Sequence, residues 1–363
     1  MKSSTTRRFA AAVVLFAASL LLRLTIPHLA DAFPLFPAYR ELCKGVTLAL
    51  ATVASLVPFA LWDIAVVVVM LGTLACAVAR LLRRRPILPL LSRVTLLAAT
   101  CCFLFVGWGL NHYAPSLASE MGLEVGRYST EELAAATDAY LKHAAELSGR
   151  VPRDDDGRLA KQDFFELARA GGASFAPLSQ QYPVFAGPQV PVKALFVAGE
   201  PLLLSGHTGI YVAPTGEACV PLNCARSDLP FIMCHEASHR LAIASEQEAN
   251  FAAFLACSTA DDVRFAYSGY YNAFVYCYNA LFAADAERAR SLLSSAVQAD
   301  PAGVGLVLGD WQATSEHYDA YEGPLKDAGT AANDTYLKSF GEESGVRSYG
   351  LVVDYLIAWH YAQ

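Results

Sequence analysis

Charge is what this sequence has least of. Only 17% of its 363 residues are Asp, Glu, Lys or Arg, against roughly 25% in ordinary soluble domains. The shortage is concentrated before Tyr113, which divides the chain into a membrane domain over 1–112 and a soluble domain over 113–363. A net charge of −7 and the lack of any basic stripe after Tyr113 argue against a nucleic-acid partner. The nine cysteines contain no repeated CxxC spacing, which excludes a cysteine-rich zinc module. Cys76, Cys101 and Cys102 sit in apolar runs, where free cysteine packs as a small hydrophobe. Cys219 and Cys224 are close enough for a small disulfide loop in an oxidising space; separate thiols are the other reading. The aspartate-rich stretch Val151–Arg158 lacks EF-hand spacing and reads as a solvated turn. Neither an internal repeat nor a low-complexity tract occurs.

Long apolar runs, in contrast, are plentiful. Phe9 to Ile26 is interrupted only by Arg23, which is near enough to one end to snorkel to the headgroups. Lys2, Arg7 and Arg8 precede it and predict a cytoplasmic N-terminus. A cleavable signal peptide competes with an uncleaved span here, because Ala30-Asp31-Ala32 has the small-x-small form. Either way the chain emerges outside. Gly45 to Leu82 is too long for one simple span, and dividing it at Asp63 would put Arg80 and Arg83-Arg84-Arg85 on the wrong side. One span over about 64–82 is therefore expected, with 45–62 interfacial or re-entrant. Arg83–Arg85 and Arg93 form the cytoplasmic loop, and 94–110 crosses back, with Trp108 and Tyr113 in the outer aromatic belt. Three spans leave the soluble domain extracytoplasmic in a multi-pass cell-membrane protein.

In that domain, Ser129-Thr130-Glu131-Glu132 has capping-box form and opens a helical run through Leu133, Ala136, Tyr140, Ala144 and Leu147. A second helix around Gln162–Arg169 is expected to stop at Gly171-Gly172. Short β-type runs, Val192–Val197 and Gly209–Val212, follow. Helix returns after Asp228, with Pro230 in its first turn, and Tyr267–Leu281 reads as a buried helix.

The chemistry is carried by His235-Glu236-Ala237-Ser238-His239. On a helix, positions i and i+4 share a face, so both imidazoles can reach one metal ion. Two neutral imidazoles are good zinc ligands, and Glu236 lies where a carboxylate can take a proton from a zinc-activated water. Chance would produce such a motif in roughly one chain of this composition in a hundred, so it is read as chemistry. The third ligand should come from Ser245-Glu246-Gln247-Glu248. Ser245 and Glu248 stand at capping-box spacing, which gives Glu248 a structural task. Glu246 is therefore the expected ligand and Glu248 the fallback, with Asn250, on the same face as Glu246, steadying a ligand. Tyr270, Tyr336 and Tyr349 are weaker candidates for an oxyanion contact, and Glu217 for a substrate contact. His207, His317 and His360 show no ligand spacing and read as ordinary.

His235–His239 followed by Glu246-Gln247-Glu248-Ala249-Asn250-Phe251 is similar to the gluzincin pattern HExxH…ExxAN/D. The whole chain resembles the bacterial membrane-protein family catalogued as domain of unknown function 3810. Trp108-Gly109-Leu110-Asn111, Thr215-Gly216-Glu217-Ala218, Tyr267-Ser268-Gly269-Tyr270, Asn333–Lys338 and Ser348-Tyr349-Gly350 carry the likeness, and Cys234–Phe251 is its most specific part. The resemblance implies a zinc peptidase. One departure is Ala242, where such sequences are expected to have glycine.

The expectation is thus an α-helical membrane anchor of three spans and an α-rich α+β, zincin-like domain with a small β-element. Its function would be zinc-dependent hydrolysis of a peptide or protein substrate beside the lipid bilayer. Gly209–Val212 would be an edge strand to which an extended peptide adds. Two rivals are a non-catalytic zinc protein, marked by a fourth protein ligand, and an accessory domain of a membrane carrier, which the few ionisable residues in the spans disfavour.

Overall fold

The computed structural model describes residues 2–29, 35–340 and 351–363. The small-x-small sequence Ala30-Asp31-Ala32 and the segment Ser348-Tyr349-Gly350 lie outside the described residues. The chain is mostly helical with one small sheet. Its first four helices are α1 (Lys2–Leu29), α2 (Phe36–Ala54), α3 (Leu61–Leu82) and α4 (Leu88–Gly109). Ser4–Ile26, Leu61–Leu82 and Leu88–Tyr113 are long and apolar enough to cross a membrane. α1 and α4 pack along each other, whereas α3 has one buried residue, Asp63, at its start. An apolar helix exposed over its whole length is stable in hydrocarbon and costly in water, so the chain is membrane-associated.

The segment 45–62 forms no span-length helix. It is the second half of α2, the turn that follows and the first two residues of α3. α2 is amphipathic in the opposite sense to a surface helix of a soluble protein. Arg40, Lys44 and Thr47 are buried, while Leu42, Val46, Leu50 and Val53 are exposed. Each of these inward polar side chains has a partner. Arg40 pairs with Glu120 at 2.8 Å, Lys44 Nζ donates to Val184 O at 2.8 Å, and Thr47 Oγ1 donates to Arg240 O at 3.0 Å.

The rest of the chain forms α5 (Leu117–Met121), α6 (Thr130–Ser148), α7 (Phe164–Ala173), α8 (Gly199–Leu204), α9 (Leu229–Arg240), α10 (Glu246–Ser258), α11 (Val263–Ala284), α12 (Ala286–Ala299), α13 (Pro301–Asp319), α14 (Pro324–Lys338) and α15 (Val352–Ala362). α6 begins with the predicted capping box, Ser129 Oγ accepting from Glu132 N and Glu132 Oε2 accepting from Ser129 N. It lies along α11, and α9, α10, α13 and α15 complete the core around this pair. α7 runs through Gly171-Gly172 instead of stopping there. The glycines serve packing. A Cβ on Gly172 would stand 2.2 Å from Val190 O, and one on Gly171 would stand 3.0 Å from Met233 Cβ of α9.

The three strands are β1 (Lys193–Leu195), β2 (Ile210–Val212) and β3 (Glu217–Pro221), in the order β1-β3-β2. β1 is parallel to β3, and β2 is antiparallel to it with Ile210 opposite Cys219 and Val212 opposite Glu217. The central strand β3 is entirely buried; the sequence had offered only a β-rich texture there. Cys219 and Cys224 are separate buried thiols. The outer side of β1 is bridged by Phe59, with Ala60 N donating to Ala194 O at 3.3 Å. β2 is the outer strand on the other side and packs beside α9.

Candidate metal centre

α9 starts at Asp228, with Pro230 in its first turn, and every residue from Leu229 to Arg240 is buried. A polar helix end in such surroundings must satisfy its groups internally. Imidazole hydrogen bonds do part of this. His235 Nδ1 is 2.8 Å from Asn250 Oδ1, and His239 Nδ1 is 2.7 Å from Ile243 O. Both partners are oxygens that accept, so each Nδ1 donates to them and each Nε2 is the ring atom left to face a metal ion. The two Nε2 atoms are 3.2 Å apart.

Glu246, the first residue of α10, points its carboxylate at the same place. Its Oε2 is 3.2 Å from His235 Nε2 and 3.7 Å from His239 Nε2. The three ligand atoms lie within 4.8 Å of one another. Tetrahedral zinc with bonds of about 2.0–2.1 Å needs ligand atoms roughly 3.3 Å apart, so the spacing suits that ion. Buried Glu246 Oε2 and Glu236 Oε2 have no hydrogen-bond partner among the described residues, which a cation and its water would relieve. His235, His239 and Glu246 fit a zinc site.

Without a metal ion, Glu246 is the counter-charge of the two imidazoles. Burial would raise the Glu246 carboxyl, but the two imidazoles beside it outweigh burial and hold the group well below the usual carboxylate range. Burial would lower the His239 imidazole, and hydrogen bonding and charge from Glu246 instead hold it up at about 9. Burial pushes Glu236 up to about 7, against the pull of both imidazoles and with a further push from Glu246. The backbone makes room for this carboxyl, because a Cβ on Gly209 would stand 2.3 Å from Glu236 Oε1.

The link between the two helices is tight. Ala242 sits at φ +62°, the left-handed region that favours glycine. That is the position where the gluzincin-like pattern leads one to expect glycine.

Other candidates are placed elsewhere. Glu248 turns away from the ligands, accepting from Leu117 N at 2.8 Å and from Tyr355 Oη at 3.2 Å. It forms no capping box, since Ser245 makes no side-chain cap. Its task is to tie α10 to α5 and α15. Glu217 is neither at the site nor on the surface. Its buried carboxylate caps α3, accepting from Leu61 N at 2.8 Å and Trp62 N at 3.0 Å. Tyr270 packs in the aromatic core against Tyr140, His143 and Phe254. Tyr349 lies outside the described residues. Of the tyrosines named, Tyr336 lines the cavity that holds the three ligand groups. Burial raises its hydroxyl pKa, and the negative charge of Glu246 adds to the effect.

Two cavities meet at Glu236. One, about 490 Å³, holds His235, His239 and Glu246 and is mostly apolar elsewhere. The other, about 320 Å³, is walled by polar groups including Asp228, Asn272 and Thr330. His207 lines both, with Nδ1 3.0 Å from Ser205 Oγ. Ligand spacing alone does not find it. The available signal was a histidine among small residues, Ser205-Gly206-His207-Thr208-Gly209, immediately before an edge strand. Trp108 also belongs here. Its ring is wedged between Tyr211 of β2, 5.0 Å away, and His239.

No curated protein and no solved structure matches the chain. The family described as Protein of unknown function (DUF3810) matches residues 39–357, and the chain belongs to that family.

Proposed function

We propose that the protein is a membrane-anchored zinc metallopeptidase with a zincin-like domain. The observation that carries this reading is the convergence of His235 Nε2, His239 Nε2 and Glu246 Oε2 beside the buried, unpartnered Oε2 of Glu236. Zn2+ held by those three groups supplies Lewis acidity toward a scissile carbonyl and toward a water molecule at neutral pH. Glu236 takes the proton of the water whose oxygen adds to the carbonyl carbon. It then delivers that proton to the departing nitrogen as the C–N bond breaks, leaving a carboxylate and an amine. β2 offers a substrate strand its outer edge, and Tyr336 and His207 line the cavity as donors toward a developing oxyanion.

Among the described residues no fourth His, Cys, Asp or Glu joins the cluster, which favours catalysis over a closed structural site. Lys2, Arg7, Arg8 and the Arg83–Arg85 loop orient the N-terminus to the cytoplasm and, with three spans, the catalytic domain outside it. The test is metal analysis of the full chain in detergent, with and without Glu236→Gln, beside a peptide-cleavage screen. One zinc in both proteins and cleavage by the wild type alone is the expected result. A metal-free wild type, or cleavage that survives Glu236→Gln, sinks the proposal.

A further inference from the structure

The candidate centre is joined to the membrane helices at three places. The apolar helix Leu88–Tyr113 has 26 residues, about 39 Å at 1.5 Å per residue, against a hydrocarbon core of about 30 Å. It is longer than that core, so part of it reaches the interface or the helix tilts. Trp108, near its C-terminal end, packs on His239. Phe105 and Val106, one turn deeper, form part of the wall of the 490 Å³ cavity, as does Cys102.

The second junction is at α3. Glu217 caps its first turn, and Asp63 accepts from Phe196 N, Val197 N and Ala198 N at 2.7–2.9 Å. The sheet is thereby fastened to the end of a span, with Phe196 and Val197 exposed there. From Glu217, β3 leads in two residues to Cys219, opposite Ile210, and the neighbouring Gly209 abuts Glu236. Glu236 is thus linked to the start of α3 by a path of about 20 Å, taking about 3.3 Å per strand residue and about 5 Å across the strand pair.

The third is α2. It turns an apolar stripe outward, while its Thr47 O lies against Gly216 at the β2–β3 turn. An interfacial helix of this kind beds the domain onto the bilayer.

The two cavities share Glu236 and differ in their walls. The larger is the more apolar and is walled in part by α4, and the smaller carries Asp228, Asn272 and Thr330. An extended chain added to β2 and filling both would meet the α4 wall with one part and those polar groups with another. Trp108 Nε1, buried in the apolar wall, has no hydrogen-bond partner among the described residues and is a donor for such a chain.

We infer that the substrate is a membrane-anchored polypeptide, cut within a few residues of the point where its apolar segment leaves the bilayer. This rests on the peptidase reading above and narrows it. A soluble peptide reaches the polar cavity but leaves the apolar wall uncovered, whereas an anchored one fills both.

The full chain, loaded with zinc in phosphatidylethanolamine–phosphatidylglycerol vesicles, is given three pools of one randomised ten-residue reporter. One pool is free, one follows directly on a twenty-residue Leu/Ala helix, and one is separated from that helix by fifteen Gly/Ser residues. The directly anchored pool should be cut at least tenfold faster than the other two. The spacer pool controls for simple enrichment at the membrane. In parallel, an anchored peptide carrying a benzophenone is crosslinked to zinc-free Glu236→Gln protein, and adducts should map to 102–106. Equal cleavage of both anchored pools, or adducts spread along α3, overturns the inference and leaves the peptidase reading standing. Cleavage of no pool by zinc-loaded protein overturns both.

Discussion

The indole of Trp108, at the end of α4, stands edge-on to the imidazole of His239, with ring centroids 5.7 Å apart and planes at 84°. A membrane helix thus touches a candidate metal ligand directly. Aromatic pairs of this geometry contribute about 0.5–1.5 kcal/mol. Trp108→Leu should therefore weaken zinc binding about two- to tenfold, read by chelator competition on the full chain. An unchanged affinity in folded protein would show that the contact does not position His239.

Glu246 and Glu248 are two residues apart and should respond oppositely. Glu246→Gln removes a carboxylate from the cluster, and stoichiometric zinc should be lost with little change in the melting temperature of the metal-free protein. Glu248→Ala removes the acceptor of Leu117 N and Tyr355 Oη. It should retain zinc and lose about 1–3 kcal/mol of stability. Loss of zinc from the Glu248 variant alone would exchange the two roles.

Ala242 occupies a left-handed backbone position at φ +62°, which costs a residue with a Cβ about 1–2 kcal/mol. Glycine there is free of that strain but loses more backbone entropy on folding. Ala242→Gly should then stabilise the protein by a net of about 0.5–1 kcal/mol, checked by thermal unfolding in detergent. A lower melting temperature would mean that the Ala242 methyl, buried in the core, contributes more than the strain costs.

Asp228, at the start of α9, supplies a pH dependence. Burial raises its carboxyl from an ordinary 3.8 to about 7, although hydrogen bonds from Asn272, Ser227 and Tyr318 pull it down. Between those values the unfolded chain has released the proton and the folded chain keeps it. Stability in metal-free protein should therefore fall as pH rises from about 4 to 7, by up to about 1.4 kcal/mol per pH unit from this group. Asp228→Asn should flatten that slope. Identical slopes in the two proteins would place the titration elsewhere.

Much of the architecture was legible from local pattern. Apolar run lengths mark the three helices long enough to cross a membrane, because hydrocarbon thickness sets the length such a helix needs. The Ser129–Glu132 cap and the shared face of His235 and His239 follow from helical periodicity, which acts over a few residues. The likeness carried by Cys234–Phe251 pointed to the family that the chain belongs to. Where sequence reasoning missed, the partner was distant in the chain. The glycines at 171 and 172 looked like a helix stop and instead admit Val190 and Met233. Glu217 looked like a substrate-contacting residue and instead caps α3, some 155 residues earlier.

By itself, then, the sequence determined which segments are apolar helices, where the His235–His239 motif lies, and which acidic residues are candidates to join it. Tertiary structure alone decided that Glu246 faces the imidazoles while Glu248 faces Leu117 and Tyr355. It also brought His207 and the Trp108 end of α4 to the cavity that Glu236 lines. The physical reason is that side-chain chemistry is local, whereas a ligand cluster or a cavity wall is made by elements far apart in the chain and packed by burial of their apolar faces.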